Sequence, residues 1–142
     1  MSAVIQPAAD SAADVTIAER FAGFAAGFDL SAVPAEVLQY AKLCFVDAVG
    51  IGIASNSYDF ADKSARAISG LAGSGPHPVI GRSERLPQRD AALLNGLLVH
   101  GLDFDDTHPA SVIHCSASAV PLVLALGAER GVSGARAVSY TH

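Results

Sequence analysis

The sequence predicts an all-α fold of buried, alanine-rich helices with at most one short strand, and three observations carry that reading. Alanine accounts for 27 of the 142 residues, and alanine is the strongest helix former while letting helices approach closely. Large apolar residues recur at spacings of three and four, the period of a helix stripe. The one segment dense in proline and glycine, residues 73–87, leaves room for a single short strand at Val79-Ile80.

The elements follow in order. Residues 1–14 are mostly Ala, Ser, Asp and Pro without periodicity and read as a flexible tail, with the helical domain running over 15–142. Ile17, Phe21, Phe24 and Phe28 mark a first helix that Thr16 or Asp14 can cap. Pro34, Ala35 and Glu36 open a second, proline in the first turn and an acid near the N-terminus. Its two apolar stripes, through Ala41, Cys44 and Ala48 and through Leu38, Phe45 and Val49, predict a buried helix. Asp47 within it reads as a hydrogen-bonded structural acid, Cys44 as a core thiol, and Gly50 and Gly52 as points of close helix packing. A third helix spans 57–72. The most apolar one runs from Arg89 to Asp106, where Pro109 disfavours α conformation at His108. A loop over 108–116 precedes a last helix to Arg130, capped by Ser116 or Ser118, with Pro121 in its first turn.

Charge and composition exclude whole classes of function. A net charge of −5 gives no basic face for phosphate, so nucleic acid is not an expected partner. At 51% hydrophobic and 16% charged, the chain is too apolar for disorder. Asp47 and Pro121 interrupt the two longest apolar runs, so no membrane span is expected, and the N-terminus lacks the basic start of a signal peptide. Two cysteines outside any C-x-x-C pair point to buried or free thiols and a cytoplasmic chain.

Three of the ten aspartates lie at 103–106, at the end of the apolar helix and just before His108 and His114. His100, Asp103 and Thr107 are spaced +3 and +4 and share a face if the helix turn continues. His114 sits ahead of a helix N-terminus, which favours an anion such as a carboxylate. Taken singly, these residues are explained as solvated helix-end charges, a threonine cap and structural histidines. Asp-x-Asp-Asp-x-His also offers hard oxygen ligands to a divalent ion, though spacing alone supports that weakly.

The run Asn95-Gly96-Leu97-Leu98-Val99-His100-Gly101-Leu102-Asp103-Phe104-Asp105-Asp106-Thr107-His108, followed by His114 and Pro121, resembles the signature of the MmgE/PrpD family. Further matches are Pro34-Ala35-Glu36-Val37 with Ala41-Lys42, Asp47-Ala48-Val49-Gly50, Val79-Ile80-Gly81-Arg82 and Leu86-Pro87. The resemblance implies part of an all-α domain that carries a smaller α/β domain, with the active site between them. It implies a lyase, 2-methylcitrate dehydratase-like or a decarboxylase, or a related epimerase. The shared step is proton removal next to a carboxylate of a small di- or tricarboxylate. His114, Asp103 and Thr107 match the catalytic positions, and His108 joins them in substrate binding. No metal and no organic cofactor is implied, and a homodimer is expected of the full-length family. A histidine, which titrates near neutral pH, suits the proton transfer.

Two departures qualify the match. Cys115 stands where a proline commonly follows the pocket histidine. The family's members are several times longer, and a further lysine, histidine and tyrosine of the pocket fall outside these 142 residues, so the chain reads as a truncated member. The sequence drifts from the pattern after Gly131. A non-catalytic helical remnant is the competing expectation, because Lys42 and Lys63 are the only lysines and neither lies near the signature.

Overall fold

A computed structural model describes residues 15–140, which fall into two compact units meeting between Val33 and Pro34. The expected tail at 1–14 and the terminal His142 lie outside the described residues.

The first unit holds α1 (Ile17–Ala26) and a 3-10 turn at Leu30–Ala32. Thr16 caps α1 in a capping box: its hydroxyl accepts the Glu19 N–H at 3.2 Å, and the Glu19 carboxylate accepts the Thr16 N–H at 2.8 Å. That backbone hydrogen bond holds the Glu19 carboxyl below its ordinary range. The stripe expected from Ile17, Phe21 and Phe24 forms but faces outward, each residue at least 60% exposed. Phe28 lies past the Gly27 cap and meets Phe24 edge to face at 5.8 Å.

The second unit is built on α2 (Ala35–Ser55), α3 (Asp59–Ala72), α4 (Gln88–His100), α5 (Cys115–Arg130) and α6 (Gly134–Tyr140). Pro34 occupies the N-cap of α2, one position before the first turn. This helix is not buried all round. Ala41, Ala48, Ile51, Gly52 and Ser55 are buried, Ala48 against Val99 and Val120 and Ser55 donating to the Leu98 carbonyl, while Tyr40, Leu43, Val46 and Asp47 are exposed. Neighbours cover one side of α2 only, so Asp47 is a surface acid and Cys44 is half-buried. Close helix packing accounts for neither glycine: a Cβ on Gly52 would sit 3.1 Å from the Ile80 side chain in the turn after β1, and Gly50 has nothing within 4 Å. With an 18-residue window of mean hydropathy 1.5 within its 21 residues, α2 is long and apolar enough by composition to cross a bilayer, a test that core helices of soluble proteins also pass.

Two strands form where at most one was expected. β1 (His77–Pro78) pairs antiparallel with β2 (Arg85–Leu86), His77 opposite Leu86. Val79 and Ile80 lie just beyond β1, because a side chain takes their ladder partner's place. The buried Asn95 of α4 accepts the Ile80 N–H at 2.8 Å and donates to the Pro78 carbonyl at 3.2 Å. Gly75 permits the hairpin, since a Cβ there would run into the backbone of Leu86 and Pro87.

The core gathers around α4. Leu94 and Leu98, fully buried, pack with Ala61, Ala65, Val79, Leu86 and Ala91, and Val99 packs on the other side with Ala48 and Val120. The α4 helix ends at His100, six residues short of Asp106, and Gly101 caps it against the Phe60 ring, where any Cβ would clash. A short α6 occupies the stretch after Gly131.

Pro121 falls seven residues into α5 and not in its first turn. Proline cannot donate to the carbonyl four residues earlier. That carbonyl belongs to Ala117 and faces Gly96 on α4, where a Cβ would stand 3.3 Å from it. Glycine on one helix and proline on the other thus let α4 and α5 approach closely beside the signature segment.

Candidate active site

The segment between α4 and α5 carries the candidate residues. Ending α4 at His100 abolishes the expected shared helix face of His100, Asp103 and Thr107. Asp103 instead adopts a left-handed backbone, φ 56°, its N–H bonded to the His100 carbonyl at 2.8 Å. The chain thereby reverses, and residues 105–107 return beneath His100.

The reversal brings together three of the four candidates. His114 Nε2 lies 3.7 Å from the Asp103 carboxylate, and its Nδ1 lies 3.5 Å from the Thr107 hydroxyl. His114 is the N-cap residue of α5 and about a quarter exposed, while the Asp103 carboxylate stands out in solvent at 79%. His108 is placed apart. Its ring accepts or donates at 2.7 Å with the Ser111 hydroxyl, and its backbone pairs with Ile113 across the loop.

Two residues discounted in the sequence, together with His100, are central to the geometry. Asp105 and Asp106 read as solvated charges, yet the Asp105 side chain is wholly buried, 3.1 Å from His100 Nδ1 and 3.5 Å from His114 Nδ1. The rings of His100 and His114 meet edge to face, centroids 5.0 Å apart. Asp106 accepts the Ser116 N–H at 3.0 Å, so an acid ten residues upstream caps α5 in place of Ser116 or Ser118. No short-range signal separates these acids from surface charges; only the reversal after Gly101 buries one and aims the other.

Beside this cluster lies a cleft of 280 Å³ lined by Tyr40, Cys44, Phe45, Asp106, Thr107, His108 and Cys115, among others. It lies at the N-terminus of α5, where the Asp106 carboxylate already accepts the Ser116 N–H. Burial, with the nearby Asp106 carboxylate adding to it, holds the Cys44 thiol above its ordinary pKa.

His100, Asp103, Asp105 and His114 each bring one ligand-capable atom within 4.8 Å of the other three, close enough to hold a cation as well as to meet an acidic substrate. Among the described residues, the ion pairs at Asp103 and Asp105 all come from histidine. Arg82 is engaged by Asp62 and Glu84, Arg89 by Asp90 and Lys63 by Asp59.

A mostly helical domain with an aspartate, threonine and histidine gathered at one helix junction defines a class before any comparison. The description "MmgE/PrpD N-terminal domain" matches residues 19–139, and the chain belongs to the MmgE/PrpD family. Curated relatives include cis-aconitate decarboxylase-like protein oryM of Aspergillus oryzae, 32% identical over 67% of this chain and 20% of that protein. Cis-aconitate decarboxylase of Mus musculus is 31% identical over 78% of this chain and 23% of its own length, and that of Homo sapiens is 32% identical over the same shares. The chain thus spans about a fifth to a quarter of the relatives it matches.

Proposed function

We propose that this chain forms the aspartate–histidine wall of a lyase site for a small di- or tricarboxylate, with the cationic wall supplied by further residues of a longer polypeptide. His114 carries the proton to or from the carbon next to a substrate carboxylate. Asp103 and Thr107 orient the substrate through hydrogen bonds, and His108 contacts it from the rim of the cleft. Relatives named as cis-aconitate decarboxylases favour loss of carbon dioxide from an aconitate-like acid over loss of water or epimerisation. In such a loss the C–C bonding pair stays on the carbon, and a proton delivered there completes the product.

The observation that carries this reading is the position of His114. One ring nitrogen faces Asp103 at the solvent edge, and the other faces the interior. No metal is needed for that chemistry, and none is invoked.

The test is steady-state kinetics on aconitate-like, citrate-like and aspartate-derived acids, in the polypeptide that completes the chain. His114→Ala should lower kcat by about 10²- to 10⁴-fold, the usual range for a positioned acid or base. Thr107→Ala should act mainly on KM, by about 0.5–1.5 kcal/mol for one neutral hydrogen bond. Undiminished turnover in the His114 variant would sink the assignment. The 142-residue chain alone should turn over none of these acids.

The second reading is a non-catalytic helical fragment, favoured by the lack of any Lys or Arg ion-paired to the cluster among the described residues. Absence of turnover in the completed polypeptide as well would support it.

A further inference from the structure

Asp105 has no role in the proposed reaction, yet it is the most deeply placed charge of the cluster. Its carboxylate is wholly buried while its neighbour Asp103 is 79% exposed. Burying a carboxylate is costly unless donors surround it. The hydrogen bonds it accepts come from an imidazole: His100 Nδ1 lies 3.1 Å from one oxygen and 3.3 Å from the other. His114 Nδ1 lies 3.5 Å from the first of these oxygens and 3.4 Å from the Asp105 backbone carbonyl.

These contacts dictate where the protons sit. An ionised carboxylate and a carbonyl oxygen only accept hydrogen bonds. The remaining neighbour of His114 Nδ1 is the Thr107 hydroxyl at 3.5 Å, which is also placed to donate to the same carbonyl. Nδ1–H at His100 is what the carboxylate requires, and at His114 it is the form that serves both the carboxylate oxygen and the carbonyl, whereas an unprotonated Nδ1 there is served by the Thr107 hydroxyl alone; in the neutral Nδ1–H ring Nε2 is the nitrogen with the free lone pair. For His114 that nitrogen is the one beside Asp103.

The placement is braced from both sides. Gly101 and the left-handed Asp103 turn the chain back under His100, and Asp106, the next residue, is tied to the α5 N-terminus through the Ser116 N–H. Asp105 is thus held between the end of one helix and the start of the next, touching an imidazole from each.

We propose that Asp105 is a positioning residue, a single buried carboxylate that locks both His100 and His114 as Nδ1–H tautomers and so presents the Nε2 of each outward. The proposal rests on the reading of His114 as the proton carrier and adds the group that prepares it. It also makes His100 a second imidazole bound to the same carboxylate, edge to face with His114 at 5.0 Å.

The experiment is nitrogen–proton correlation spectroscopy of the imidazole rings in the 15N-labelled, chelator-treated chain at neutral pH. His100→Gln and His114→Gln spectra assign the two rings. Free imidazole side chains favour Nε2–H, so the expected result, Nδ1–H at both rings, departs from the default. Nε2–H or averaged signals at either ring in the wild-type chain overturn the proposal, whatever the variants do. In Asp105→Asn the amide offers a donor as well as an acceptor, and the Nδ1–H form should become the minority at one ring or both while the backbone amide spectrum stays in place. Retention of Nδ1–H at both rings of a folded Asp105→Asn protein would show that another group sets the tautomer. Thr107→Val should leave both rings unchanged, and loss of the lock there would transfer the role to the hydroxyl. No substrate enters this measurement. Locked tautomers without turnover in the completed polypeptide would count against the proposed reaction alone, and turnover in that polypeptide with Nε2–H rings against this inference alone.

Discussion

Cys44 and Cys115 border one cleft and differ as thiols. Cys44 is half-buried, and burial with the Asp106 carboxylate raises its pKa, so at neutral pH it stays protonated. Cys115 is exposed at the first turn of α5. Because the thiolate is the nucleophile, iodoacetamide should label Cys115 first, at least about tenfold faster at pH 7.5, with peptide mass spectrometry following each site. Equal rates would mean that the cleft opens to solvent at Cys44. The sign for Cys44 follows from its direction of shift. A thiol with a raised folded pKa contributes stability below its unfolded pKa, and that contribution is lost as pH climbs through the folded value.

Among the elements, the α4–hairpin junction depends on one amide. Asn95 is 2% exposed and satisfies both the Ile80 N–H and the Pro78 carbonyl. Removing it strands two backbone groups, so Asn95→Ala should cost about 2–3 kcal/mol in urea unfolding, more than a typical surface change. Asn95→Asp should recover only the accepting half. Such a residue was legible only as part of a motif, because its partners lie 15 and 17 positions away. The cap of α1 was legible as Thr16 or Asp14, and the structure settles on Thr16 with Glu19, three residues away, as its partner. The end of α4 was not. Leu102 and Phe104 prolong the apolar period past His100, whereas in the structure Gly101 lies against the Phe60 ring, a contact across 41 positions, and Asp103 turns left-handed. Asp103, Thr107 and His114 were readable as a set from the signature, whereas the burial of Asp105 depends on that same early stop.

At the scale of the molecule, apolar surface outruns the neighbours available to cover it. Tyr40, Leu43 and Val46 on α2 are 64%, 56% and 68% exposed, and α1 shows Ile17, Phe21 and Phe24. Surfaces of this kind drive association when left uncovered. The isolated chain should therefore scatter light as oligomers whose size grows with concentration and should bind an apolar-surface dye. Leu43→Lys together with Val46→Lys should weaken both signals without loss of helicity, because neither side chain reaches the core. A monodisperse monomer with no dye binding would show that these faces are tolerated in water.

The left-handed backbone at Asp103 has a consequence for selection. Among the described residues only Asp103 and Val112 take positive φ without being glycine, 56° and 52°, and they bracket the Asp105–Thr107 turn on one side and precede His114 on the other. A β-branched residue is especially ill suited there, so Val112→Gly should raise the unfolding free energy by about 1 kcal/mol, and Asp103→Gly by about half that. The second exchange would remove the carboxylate beside His114 Nε2. On the role proposed for Asp103, a library ranked by melting temperature would thus enrich the very substitution that a library of the completed polypeptide ranked by turnover would purge. Comparing the two enrichments at position 103 would measure how much robustness has been surrendered to keep an acid in that turn.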